Sequence, residues 1–125
     1  SGAFHSPRMA DVADRLAEAF EDEQWADARI PVISNVTAEP ETDAGRIRAL
    51  LAEQVRSPVE WVASVERLVR EGVDEVVELG AGSALVGMVR RIAPEVRVTA
   101  VGDAATLEAA CEALAPARAG ASASW

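Results

Sequence analysis

The sequence is poor in cysteine, histidine and aromatic residues. Its 125 residues include one cysteine, one histidine and no tyrosine, and aromatic residues make up only 4%. A single cysteine, Cys111, excludes a disulfide within the chain and is typical of a reducing compartment, so we expect a cytoplasmic protein. One histidine and one cysteine far apart give no ligand spacing for a metal, and we expect neither a metal nor another cofactor.

Basic residues and long apolar runs are also scarce. Twelve lysine and arginine residues are outnumbered by 21 acidic ones, which gives a formal net charge of −9. This charge argues against nucleic acid and anionic membranes as partners, since both require a basic face. No apolar run approaches the ~20 residues that span a bilayer, and we expect no signal peptide.

Half of the residues are hydrophobic, mostly alanine, valine and leucine, which is typical of helices packed on a sheet. Apolar residues at helical spacing predict a first helix from Pro7 to Asp22, with Ser6 as its cap. Ser57-Pro58-Val59-Glu60 predicts a capping box at the start of a third helix. Further helices are predicted around residues 43–55, 84–92 and 104–114, and extended segments at residues 30–37, 73–79 and 96–101.

From Val73 onward, a strand, a glycine turn, a helix, a strand and a helix predict a parallel βαβ arrangement. Three short strands and five helices do not complete such a sheet, so we expect a piece of a larger α/β domain. We assign residues 1–115 to this incomplete domain. Residues 116–125 form an Ala/Gly/Ser-rich tail, which we expect to be mobile or held by something outside the chain.

The candidate catalytic residue is His5, the only histidine. It lies just before the first helix, where the positive end of the helix dipole disfavours an imidazolium and so favours a ring that can accept a proton. A histidine before a helix is also common without any chemical role. Gln54 is a polar amide on the apolar face of the second helix. It is either a helix-end amide that binds loop carbonyls, which the pattern favours, or part of a site wall.

Two other segments are weaker candidates. Gly80-Ala81-Gly82-Ser83 precedes a helix and could bind an anion, but the third glycine of a dinucleotide fingerprint is absent. We therefore expect small residues here to let the helix pack close to the strand. Cys111 shares a helical stripe with Leu107, Ala110 and Leu114, which favours a buried hydrophobic position. No Gly-x-Ser-x-Gly motif supplies a nucleophile for His5.

Four motifs in order carry a family resemblance: Gly2-Ala3-Phe4-His5-Ser6-Pro7, residues 30–40, Gln54-Val55-Arg56-Ser57-Pro58-Val59-Glu60-Trp61 and Glu78-Leu79-Gly80-Ala81-Gly82. Together they resemble the C-terminal part of bacterial malonyl-CoA:acyl-carrier-protein transacylase, over residues 1–114. The resemblance implies an α/β-hydrolase-like acyltransferase domain, with a short parallel sheet flanked by helices. It also implies malonyl-CoA and acyl carrier protein as partners, in fatty acid synthesis.

The same resemblance implies roles for three residues. His5 matches the family's catalytic base in a serine–histidine ping-pong mechanism, and Gln54 matches a residue whose backbone carbonyl orients that histidine. Phe4 matches a substrate-side position, in an Ala-Phe-His context that looks like the malonyl-preferring form. The nucleophilic serine and the arginine for the malonyl carboxylate lie upstream in the family, so we expect this chain to be a fragment, inactive without its N-terminal part.

Two alternatives remain open. The chain could be part of the acyltransferase domain of a polyketide synthase, which performs the same chemistry in another pathway. It could also be a non-catalytic α/β interaction module, in which His5 merely ends a loop. A Gly-His-Ser-x-Gly motif about a hundred residues before His5 would favour an enzyme.

Overall fold

The computed structural model describes residues 2–114. The chain divides into two compact units, Ser1–Glu71 and Gly72–Trp125. The tail predicted at residues 116–125 lies outside the described residues, so its mobility stays a prediction, as does the assignment of residues 1–115 to one incomplete domain. Within residues 2–114, no helix combines the length and apolarity needed to cross a membrane.

The first unit opens with a short 3-10 helix, Pro7–Met9, which leads into helix α1, Ala10–Ala19. The predicted helix is therefore present but shorter than expected. Ser6 makes no capping hydrogen bond, because its hydroxyl donates to the carbonyl of Ala3 at 2.6 Å. The chain consequently enters the α-helix only after one 3-10 turn.

An aromatic pair covers the C-terminal end of α1. The Nε1–H of Trp25 donates to the carbonyl of Phe20 at 3.2 Å, and the two rings meet edge to face with centroids 5.2 Å apart. Carbonyls in the last turn of a helix lack partners within the helix, and this indole satisfies one of them. The pair therefore marks where α1 ends.

A minimal antiparallel hairpin follows. Strand β1, Val32–Ile33, pairs with strand β2, Pro40–Glu41, in the register Val32↔Glu41 and Ile33↔Pro40. The extended segment predicted at residues 30–37 is a strand only at Val32–Ile33, because residues 35–37 form a turn, and its partner at residues 40–41 was not predicted. The buried hydroxyl of Ser34 accepts hydrogen bonds from the amides of Val36 and Thr37, and this turn brings the chain back to pair with β1.

Helices α2, Ala44–Glu53, and α3, Trp61–Arg70, complete the first unit. Asp43 caps α2, accepting from the Arg46 amide at 2.6 Å. The capping box predicted for α3 is wrong, because its cap is Glu60 and the Ser57 hydroxyl donates to the Glu53 carboxylate instead. Residues 54–60 therefore form an irregular connection between the two helices.

The second unit contains strand β3, Glu75–Leu79, helix α4, Ala84–Ile92, strand β4, Arg97–Val101, and helix α5, Ala104–Leu114. The two strands pair in parallel from Glu75↔Arg97 to Leu79↔Val101. The predicted parallel βαβ arrangement is confirmed.

The glycines after β3 are required by backbone conformation rather than by close packing. Gly80 and Gly82 have φ angles of +140° and +103°. A Cβ at either position would meet no atom within 4 Å among the described residues. The expectation that small residues bring helix and strand together is therefore wrong, since what this turn needs is left-handed backbone.

Each unit buries a small aliphatic core. In the first unit the buried residues include Ala13, Leu50, Ala52 and Val65, and in the second Val86, Val89, Ala93, Val96, Val101 and Ala110. Cys111 is exposed, which corrects its expected burial. Of the predicted stripe, α5 buries Ala110 and leaves Leu107 49% exposed.

Candidate active site

The backbone of His5 is fixed against the connection between α2 and α3. Its N–H donates to the carbonyl of Val55 at 2.8 Å, and its φ angle is +61°. Left-handed backbone is uncommon outside glycine, although histidine adopts it more often than most residues. This conformation costs free energy, and such conformations concentrate at functional sites.

The imidazole contacts the same connection through its side chain. Nδ1 of His5 lies 2.8 Å from the carbonyl oxygen of Gln54. A carbonyl can only accept, so in the neutral ring Nδ1 carries the proton and Nε2 keeps its lone pair. The Gln54 carbonyl therefore favours the tautomer with a free Nε2 lone pair, while the Val55 carbonyl fixes the backbone of the same histidine.

Gln54 is the C-cap of α2, and its side chain has a separate partner. Its Oε1 accepts from the Nδ2 of Asn35 at 2.9 Å, and both residues are half-buried. Sequence reasoning missed Asn35. The signal that could have found it is an amide in the middle of the β-branched, apolar segment at residues 30–37, because such an amide needs a partner when the segment packs.

A charged cluster lies next to the turn that contains the Gln54 and Val55 carbonyls. Arg56 donates from Nε to the Glu53 carboxylate at 2.9 Å and lies 3.7 Å from the carboxylate of Asp14 on α1. Ser57 donates to the other oxygen of Glu53 at 2.8 Å. The hydrogen bonds from Arg56 and then from Ser57 lower the pKa of the Glu53 carboxyl below its ordinary value, since both favour the ionised form.

This shift predicts how stability depends on pH. A carboxylate whose pKa is lowered in the folded state stabilises the fold above the pKa of an unfolded glutamate, about 4.3, and loses that stabilisation as the pH falls through the lower folded value. We expect Glu53→Gln to lower the free energy of unfolding at pH 7. The difference from the unsubstituted chain should shrink below about pH 4, as measured by urea denaturation.

Glu66→Gln is the matched control for that experiment. Glu66 is exposed on α3 and has no salt bridge among the described residues, so its loss should change stability little at either pH. A Glu53→Gln effect of equal size at pH 7 and pH 3 would contradict the assigned role.

A groove of about 550 Å³ lies beside the histidine. Its lining residues are His5, Ser6, Pro7, Ala10, Glu53, Arg56, Ser57 and Pro58. The two hydroxyls in it are already engaged, because Ser6 donates to Ala3 and Ser57 to Glu53. Within residues 2–114, no serine hydrogen-bonds the imidazole.

Phe4 does not line this groove. Its side chain is 60% exposed, and its ring lies against Gly2, where a Cβ would come within 2.8 Å of the ring. Phe4 therefore precedes His5 in the chain but lies on an open surface outside the groove.

The glycine turn after β3 does not offer a free anion site. The carboxylate of Glu78 accepts from the amides of Leu85 and Val86 at 3.2 and 2.9 Å. These amides are in the first turn of α4, where an anion would bind. Because the chain's own carboxylate occupies them, the phosphate-binding alternative gains no support. No cluster of three or more potential metal ligands occurs in residues 2–114.

No protein-family model matches the chain. Curated relatives and solved structures do. The chain is 39% identical over 114 residues to the malonyl CoA-acyl carrier protein transacylase of Bacillus subtilis, covering 91% of this chain and 36% of that protein. The crystal structure of acyl-carrier-protein-S-malonyltransferase from Bartonella henselae superposes with a TM-score of 0.87 at 35% identity, over 92% of this chain and 37% of that one.

A further neighbour was solved as a complex. It is a malonyl-transacylase bound to its type II PKS acyl-carrier protein, with a TM-score of 0.82 and 34% identity over 88% of this chain and 36% of that one. The chain thus spans about a third of the length of the proteins it matches. Its helices and short parallel sheet match the C-terminal part of these α/β acyltransferase structures. By sequence and by fold, the chain is homologous to the C-terminal third of malonyl CoA-acyl carrier protein transacylases.

Proposed function

We propose that this chain supplies the general base and its orienting carbonyl to an enzyme that transfers malonyl groups from malonyl-CoA to the phosphopantetheine thiol of acyl carrier protein. The observation that carries the proposal is the 2.8 Å contact between Nδ1 of His5 and the carbonyl of Gln54. It leaves Nε2 as the acceptor of a proton, which is what a serine nucleophile requires of its partner.

The mechanism has two halves. A serine from the part of the enzyme outside this chain attacks the malonyl thioester, its proton passes to Nε2 of His5, and the CoA thiolate leaves with that proton. The carrier thiol then gives its proton to Nε2 and attacks the malonyl-serine ester, and the serine oxygen takes the proton back as it leaves. The family resemblance implies the serine, together with an arginine for the malonyl carboxylate.

In this proposal Phe4 acts on the substrate side. Its ring is 60% exposed next to His5 in the chain, so it is available to contact an acyl group bound at the histidine. The family resemblance supports this role, because the Ala-Phe-His context looks like the malonyl-preferring form. The cytoplasmic location expected from the single cysteine remains a prediction.

The polyketide pathway is the second candidate. The relevant observation is the solved neighbour bound to a type II PKS acyl-carrier protein. The chemistry is the same in both pathways, and only the carrier differs. A comparison of rates with a fatty acid carrier and a polyketide carrier therefore distinguishes the two.

A chimera tests the proposed function. Residues 2–114 replace the matching third of the Bacillus subtilis relative, and malonyl transfer from radiolabelled malonyl-CoA to holo-acyl carrier protein is measured. We expect transfer by the chimera and none by the 125-residue chain alone, because the described residues contain no serine bonded to His5. A chimera with native-like circular dichroism and no transfer to either carrier would contradict the proposal, and would favour a non-catalytic module.

A further inference from the structure

We propose that Asn35 is a positioning residue for His5, acting through the side chain of Gln54. This inference rests on the proposed role of His5 as base. Asn35 touches neither the imidazole nor the groove beside it. Its effect is on the peptide unit whose carbonyl fixes the tautomer of the histidine.

Asn35 holds both ends of the connection that carries this carbonyl. Its Nδ2 donates to the Oε1 of Gln54 at 2.9 Å, at the start of the connection. Its backbone carbonyl accepts from the amide of Glu60 at 2.8 Å, at the end of the connection. One residue thus joins the end of α2 to the start of α3, and the two carbonyls that accept from His5 lie between these attachment points.

The surroundings make the side-chain bond strong. Asn35 and Gln54 line a cavity of about 110 Å³ together with Ile47, Leu50 and Leu51 of α2. A hydrogen bond next to aliphatic groups is electrostatically stronger than one in water, and an amide left there without a partner is correspondingly costly. Loss of either amide therefore removes the side-chain bond that joins residue 35 to residue 54.

Asn35 itself sits on a rigid support. It follows the buried Ser34, whose amide donates to the carbonyl of Glu39 at 3.0 Å. The carboxylate of Glu39 lies 2.7 Å from Arg67 on α3. This ion pair joins the hairpin that contains Asn35 to α3, the helix that follows residues 54–60. Asn35 and the segment that it positions are therefore held by the same group of contacts.

The single histidine provides a direct test. In the 125-residue chain, ¹⁵N NMR of the imidazole reports on His5 alone. Free imidazole side chains favour the Nε2–H tautomer, whereas the contact with Gln54 requires Nδ1–H. We expect the unsubstituted chain to show predominantly Nδ1–H. Asn35→Leu and Gln54→Leu should each lower the ratio of Nδ1–H to Nε2–H by about fivefold, as loss of one hydrogen bond of ordinary strength would.

Two controls separate positioning from general destabilisation. Gln54→Glu keeps an acceptor for Asn35 and should therefore keep the Nδ1–H tautomer that the leucine variants lose. Val65→Ala weakens the core of the same unit without touching these hydrogen bonds, and should leave the tautomer unchanged. If Asn35→Leu does not fold, Gln54→Leu decides the question from the other side of the pair.

Two results would refute the inference. An unchanged tautomer ratio in a folded leucine variant, or an Nε2–H tautomer in the unsubstituted chain, refutes the positioning role. Because this measurement uses no substrate, it is independent of the transfer assay. A chimera that transfers malonyl while Asn35→Leu leaves the tautomer unchanged would refute the inference and leave the proposed function intact.

Discussion

Replacing His5 with alanine should lower the rate of malonyl transfer by the chimera about 10²- to 10⁴-fold, the usual contribution of a positioned general base. The loss should fall mainly on kcat, because the proton moves only as the serine or the thiol attacks. The Michaelis constant for malonyl-CoA should change little, since the imidazole adds little to binding in the ground state. Single-turnover transfer of radiolabelled malonyl to the serine isolates the first half of the reaction.

The backbone of His5 dictates the choice of control. Its φ of +61° is strained for alanine, so a loss of activity in His5→Ala alone could come from a shifted loop. His5→Asn answers this objection, because asparagine accepts left-handed backbone but cannot act as a base. Both variants should be inactive to a similar degree.

Arg8→Ala is the matched surface control. Arg8 is exposed, three residues from the histidine, and does not line the groove. Its removal should leave kcat within about twofold of the unsubstituted chimera, as expected of a surface change outside the site. If His5→Asn and Arg8→Ala behave alike, His5 is not the base.

The second large effect concerns stability. Val65 on α3 is 3% exposed, and Val65→Ala removes two buried methyl groups. At ~0.8 kcal/mol for each group, with a further contribution from the cavity left behind, the free energy of unfolding should fall by about 2 kcal/mol. Urea denaturation followed by circular dichroism measures this free energy. The slope of the free energy of unfolding against urea concentration should stay the same, which checks that only stability has changed.

The same helix offers a control of identical chemistry. Val62 lies three residues earlier on α3 and is 53% exposed. Val62→Ala should change stability by less than about 0.5 kcal/mol, and the better helix propensity of alanine could make the change slightly favourable. Equal destabilisation by the two variants would mean that α3 does not bury the face described.

The helices and the parallel pair were predictable because their signals are repeated along the chain. Apolar residues recur at helical spacing in α1, α2 and α3, and each strand of the pair is a short segment with β-branched residues that ends at a turn. The ends of elements were less predictable, since a single polar residue decides each one and has several partners to choose from. Ser57 illustrates this, because its hydroxyl binds Glu53 rather than capping α3.

The site was predictable only in part, for a similar reason. His5 and Gln54 were identified by position and by family resemblance, and their contact is a hydrogen bond across 49 residues that no local pattern encodes. Asn35 was missed because its partner is 19 residues away and on another element. Long-range amide pairs of this kind depend on how the hairpin packs against α2, which the sequence does not state locally.

The group that faces the imidazole of His5 is part of the main chain, and every amino acid at position 54 would carry it. Systematic side-chain replacement at this position would therefore leave that oxygen in place. Chemical synthesis that exchanges the peptide link between residues 54 and 55 for an ester would weaken the oxygen as an acceptor while every side chain stays the same. Next to His5, the most informative substitution is therefore one of the main chain, which no coded amino acid provides.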